Sequence, residues 1–203
     1  MDKYLTRLLQ LASENPEYKA LADYLMSRRS YPEIQYKQDF SNTYGSFEYP
    51  GLFSDMQKRG VVKLNADPVT TGAQYVAPTL THELTHATKN QLVKQYLEIT
   101  KKSDKTDLEK QFIDSFQKIM GEDAMGIAKQ MQQMSPEFAK KESDYRVTST
   151  EGLAFALQNS AYPKYPLARN APPHVDPTIA TQLMLLLEQA QKVQNQQPQS
   201  QGR

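Results

Sequence analysis

The sequence predicts an α+β fold, predominantly α, in which a small N-terminal β-sheet precedes a helical C-terminal subdomain. Three observations carry that expectation. Apolar residues recur every three or four positions from Leu5 to Leu25 and again almost throughout the chain beyond Pro78, the spacing of one helix face. Residues 31–78 lose this period and gather aromatics, glycine and proline, as in TYGSFEYPGLF. Within that stretch residues 61–65, VVKLN, form a short apolar run bounded by Gly60 and by Ala66-Asp67-Pro68, the pattern of a strand. With 203 residues and no cysteine, the chain suits one domain that needs no disulfides and holds no thiolate metal site. The expected domain covers residues 1–190, with N-terminal helices and the small sheet over 1–78 and a helical part over 79–190. Residues 191–203 are expected to be a disordered Gln-rich tail.

In chain order, Leu5, Leu8, Leu9 and Ala12 mark the apolar face of a first helix. Asn15-Pro16 supplies an N-cap and a first helical residue for a second, with Tyr18, Leu21 and Leu25 behind it. A hairpin is expected over 43–53 and a strand over 61–65. Pro78 suits the first turn of a long helix that runs to about residue 102. Thr106-Asp107-Leu108-Glu109 has capping-box spacing, and Leu108, Phe112, Phe116 and Ile119 form the stripe behind it up to Gly121. A Met-rich segment follows (Met125, Ile127, Met131, Met134), and Ser135-Pro136 opens a short helix. Thr148 and Glu151 repeat the capping-box spacing ahead of Ala154, Phe155 and Leu157. After the proline-rich loop YPKYPLARNAPP, Asp176-Pro177 opens a last helix with Ile179, Leu183, Leu186 and Leu187 inside.

Charge narrows the function classes. Lys and Arg number 24 against 23 Asp and Glu, with the two signs interspersed, which argues against nucleic-acid and membrane-surface partners. The start, MDKYLTRLLQLASENPEY, lacks the basic head, apolar centre and cleavage site of a signal peptide, and no apolar run reaches bilayer-spanning length. A cytoplasmic or virion-associated location is expected.

Two of the three histidines stand four apart in THELTHATKNQ, residues 81–91, with Glu83 directly after the first. On a helix His82 and His86 share a face with Cβ atoms about 5–6 Å apart, so each ring can offer one nitrogen to a common point. Zinc accepts that geometry. Glu83 is rotated about 100° around the helix axis, too far for a natural third ligand but within reach of water held by the metal. A metal that lowers the pKa of water toward 7, and a carboxylate that takes the proton, are the parts of a hydrolase. HExxH on a helix brings them together, so Zn2+ is the expected cofactor, His82 and His86 its ligands and Glu83 the general base. The opposing view is that short motifs arise by chance and that a histidine pair can simply pack or cap. The scarcity of histidine and the independent helical signals weigh against it. A third protein ligand is needed. Glu151, beside the small Gly152 and Ala154 that permit close helix approach, is one choice; its alternative is the back-reaching arm of a capping box. His174, in APPHVDP, is another.

THELTHA resembles the active-site helix of zincin metallopeptidases. TEGLAFAL is similar to the ligand helix of the gluzincin type, in which a downstream glutamate is the third zinc ligand, and DYRVTSTEGLAFAL resembles small lethal-factor-like, or minigluzincin, domains. The resemblance spans about residues 60–160 and rests on these two motifs. It implies a zincin-like core in which His82, His86 and Glu151 bind zinc and Glu83 is general base and proton shuttle. It also implies that Tyr145, six residues before Glu151, stabilises the oxyanion, and that VVKLN (Val61, Val62, Lys63, Leu64) offers its edge to an extended peptide. His174 is then the alternative ligand or oxyanion donor, and Tyr162 a weaker substitute for Tyr145. The chain departs from the pattern at Thr88, where relatives prefer an apolar residue, and at Phe155, where many carry an acid or amide that orients a histidine. The partner that fixes the zinc histidines is therefore not identified by the resemblance.

The function expected is a zinc-dependent metallopeptidase acting on a peptide or protein substrate through a metal-activated water. The alternative is a non-catalytic helical structural or interaction protein, virion-associated through a protein assembly partner, with a vestigial site. Hydrolysis of a non-peptide amide would use the same chemistry.

Overall fold

A computed structural model describes residues 3–36, 44–48, 59–65, 71–121, 151–164 and 177–196, with the backbone alone at residues 121, 151, 152 and 177. Its class is α+β and predominantly helical. Helices α1 (Lys3–Ser13) and α2 (Pro16–Ser27) meet at Asn15, whose Oδ1 accepts from the N–H groups of Glu17 and Tyr18 at 3.0 and 3.1 Å. That side chain satisfies two of the donors a helix start leaves orphaned. α2 ends with Arg29 at φ 53°. The N–H of Ser30 donates to Leu25 O and that of Arg29 to Met26 O, a Schellman closure with arginine where glycine is preferred.

Three four-residue strands follow: β1 (Glu33–Tyr36), β2 (Gly45–Glu48) and β3 (Val61–Leu64). Their order is β1-β3-β2, with β1 parallel and β2 antiparallel to β3. β2 lies within the hairpin expected over 43–53 and pairs antiparallel with β3; residues 43 and 49–53 of that hairpin lie outside the described residues. β1 is an element the spacing did not predict. Alternation along β3 turns Val62 and Leu64 fully inward, and Lys63 on the other face pairs with Glu48.

Helix α3 (Ala73–Thr100) is the centre of the molecule, packed by α1, α2, β2 and β3, by α4 (Asp107–Phe116) and by α5 (Glu151–Ala161). It starts five residues earlier than Pro78 predicts. Pro78 lies inside it, and only the bond to the carbonyl of Gln74, within the opening turns, is lost. The capping box at α4 is complete: Glu109 N–H donates to Thr106 Oγ1 at 3.3 Å and Thr106 N–H to Glu109 Oε2 at 2.9 Å. A π-helical turn, Gln117–Gly121, ends that segment. Helix α6 (Pro177–Gln196) packs on α4, α5 and α2. It continues through residues 191–196, which composition assigns to a tail. Val193, 1 % exposed, extends the stripe Leu183, Leu186, Leu187 and Ala190, and this burial outweighs the polar context. The Met-rich segment, Ser135-Pro136, Thr148, most of the proline-rich loop, Asp176 and 197–203 lie outside the described residues. No described helix is long and apolar enough to cross a membrane.

One buried cation sits awkwardly in this core. Lys94 on α3 is 7 % exposed and its Nζ has no hydrogen-bond partner among the described residues. Glu98, one turn on, is held by Arg28 at 3.1 and 3.2 Å. Burial, and then the Arg28 charge, push the Lys94 ammonium below the usual lysine range. We expect Lys94→Met to raise the unfolding free energy at pH 7 by about 1–3 kcal/mol, the cost of an unsatisfied buried donor. The lysine's pKa is lower folded than unfolded, so its penalty is full below the folded value and fades as pH rises toward about 10.4. The gain from methionine, read from urea unfolding at several pH values, should shrink over that window.

Candidate metal centre

Most of α3 between Thr79 and Gln95 is buried although its side chains are polar. Helices buried on all sides are ordinarily apolar all round, so a buried polar run is the informative feature. Part of it is satisfied locally. Thr81 Oγ1 donates to Ala77 O at 3.1 Å and Thr85 Oγ1 to Thr81 O at 2.9 Å. These bonds back onto the helix let threonine be buried without an outside partner.

His82 and His86 stand on the next stripe, 8 % and 7 % exposed. Their rings lie 5.0 Å apart between centroids at 69°, and their Nε2 atoms face each other at 3.2 Å. Two zinc–nitrogen bonds of about 2.0–2.1 Å at a tetrahedral angle place their nitrogens roughly 3.3 Å apart. The spacing of the two nitrogens therefore matches that of two ligands on one zinc ion. Nδ1 of His82 is within 3.1 Å of Gln158 Oε1, and the Phe155 ring packs edge-on against His82 with centroids 4.6 Å apart. Both partners come from α5.

Glu151 opens α5, four residues before Phe155 and seven before Gln158. Helical spacing puts those three positions on one face, and the later two contact His82. The side chain of Glu151 lies outside the described residues, as do Tyr145 and His174. Among the described residues no three His, Cys, Asp or Glu side chains form a complete metal-binding group.

Glu83 is 6 % exposed and lies beneath β2. A Cβ added to Gly45 would fall 3.1 Å from Glu83 Oε1 and 2.7 Å from Thr79 Cγ2, so only glycine lets the strand come this close. This corrects one expectation. Val61, Val62, Lys63 and Leu64 cannot offer an edge, because β3 is central and paired on both sides. The strand beside the carboxylate is β2, an edge of the sheet among the described residues. Tyr162, after α5, stands by Thr81, with its hydroxyl 3.5 Å from Thr81 Oγ1; burial raises that phenol's pKa and the contact with Thr81 opposes the rise.

Gln158 and Gly45 are the site residues that motif reading misses. The signals were present: a lone amide within the apolar stripe LAFALQ, and a glycine inside an alternating TYGSFE. No family model, curated protein or solved structure matches the chain.

Proposed function

We propose that the chain is a zinc-dependent metallopeptidase of the gluzincin type. The carrying observation is the buried imidazole pair with Nε2 atoms 3.2 Å apart, beside a buried carboxylate, on one helix. His82 and His86 would hold the ion, with Glu151 as third ligand. Bound zinc supplies a Lewis acid for the scissile carbonyl and brings the pKa of water toward 7. Glu83 takes the proton of the attacking water and passes it to the leaving amine. Tyr145 donates a hydrogen bond to the developing oxyanion; His174 is the alternative in that role. An extended peptide pairs with the edge of β2, the strand that covers Glu83, a strand addition moved one strand outward from β3.

The test is elemental analysis of protein purified without chelators, with digestion of a peptide pool. We expect about one zinc per chain, lost in His86→Ala, and cleavage that chelation stops and zinc restores. Protein free of zinc, or cleavage indifferent to chelation, overturns the proposal. Zinc at full occupancy with no peptide cleaved favours the helical interaction protein with a vestigial site.

A further inference from the structure

We infer that Gln158 is a positioning residue that selects the tautomer of His82 and thereby sets its affinity for zinc. The inference rests on the metal reading of His82 and His86. Gln158 is fully buried, and its Oε1 lies 3.1 Å from His82 Nδ1. A carbonyl oxygen only accepts, so His82 must carry its proton on Nδ1. The lone pair is then on Nε2, the atom that faces His86 Nε2 at 3.2 Å. In the ion-free protein that contact is donated by His86 Nε2–H. The amide turned the other way would donate to Nδ1, force the proton onto Nε2 and block the atom a metal needs.

Two further observations separate this role from ordinary packing. The Gln158 amide nitrogen is buried with no hydrogen-bond partner among the described residues. A buried amide donor without an acceptor costs stability, and its stripe neighbours Leu153, Ala154 and Leu157 are apolar. Leucine at this position would bury comparable bulk without that penalty, so only the carbonyl half of the side chain has a partner to show for it. Phe155, one turn earlier, lies edge-on against His82 and has no atom that accepts from Nδ1–H. The ring plane is held by Phe155 and the proton by Gln158, two tasks that α5 divides between successive turns. Partners of this kind orient ligand rings and raise metal affinity.

Gln158→Leu and Gln158→Glu test it with three readouts: the His82 tautomer in metal-free protein by 15N NMR, the zinc dissociation constant by chelator competition, and the thermal midpoint of the metal-free protein. In wild type His82 should be protonated on Nδ1. Leucine should admit the Nε2–H form and weaken zinc by about 10–100-fold, with the midpoint unchanged or raised. Glutamate, which still accepts, should keep the Nδ1–H form and bind zinc at least as tightly as wild type. Wild-type zinc affinity in the leucine variant overturns the inference. So does a lowered midpoint with equal loss of zinc in both variants, the mark of a packing role. Should leucine fail to fold, an Nε2–H tautomer in wild type overturns it alone, and an Nδ1–H tautomer with zinc retained by the glutamate variant supports it. Wild type that binds no zinc while His82 keeps Nδ1–H overturns the metallopeptidase proposal and leaves the hold of Gln158 on His82 standing.

Discussion

Glu83→Gln should leave the fold intact and zinc bound while peptide hydrolysis falls by about 10²–10⁴-fold, the usual contribution of a positioned general base. That loss corresponds to about 3–5 kcal/mol of transition-state stabilisation. The substitution preserves shape, which matters because Glu83 is 6 % exposed and roofed by Gly45. It exchanges one carboxylate oxygen for an amide nitrogen that takes no proton. The loss should fall on kcat with KM little changed, because the proton moves only in the transition state. Metal analysis beside steady-state kinetics checks both halves. His86→Ala is the companion variant, since it should lose zinc and activity together. A Glu83→Gln protein that keeps zinc and cleaves at the wild-type rate removes Glu83 from the mechanism.

What could be read from residues alone follows from how local each signal is. The His82–His86 pair and the Thr106–Glu109 cap are spacings within one or two turns, and both appear in the structure as the spacing predicts. Asn15-Pro16 is legible for the same reason. β1 and β2 are four residues each, and their stability comes from pairing with β3, whose partners lie far away in sequence. Nothing within EIQY or GSFE announces that pairing. The position of β3 between the other two is likewise a property of the sheet and not of VVKLN. Gln158 reaches His82 across 76 residues, a contact that exists only once α5 packs against α3. The beginning of α3 and the end of α6 show tertiary burial overriding local cues: a proline in one case, glutamine-rich composition in the other.

Gly45→Ala should lower stability and activity together while sparing the metal. The new methyl would sit 2.7 Å from Thr79 Cγ2, closer than carbon atoms tolerate, and 3.1 and 3.2 Å from Glu83 Oε1 and Cγ. Thr79 cannot readily yield, because it is β-branched, helical and 5 % exposed. Nor can the strand lift freely, because Gly45 is in register with Leu64, a fully buried core residue. Overpacking of this kind costs about 1–3 kcal/mol. Moving Glu83 by about 1 Å costs about 10²-fold in rate. Zinc stoichiometry should hold, since the imidazoles bracket a different stripe of α3. The double variant separates the two contacts. Thr79→Ser removes the Cγ2 atom behind the worst clash, so Gly45→Ala should cost less stability in that background than alone, a coupling read from urea midpoints. The contacts with Glu83 remain, so activity should recover less than stability does. Equal midpoints and rates for Gly45→Ala and wild type would mean that β2 does not lie on the carboxylate, and the peptide path along the edge of β2 would go with it.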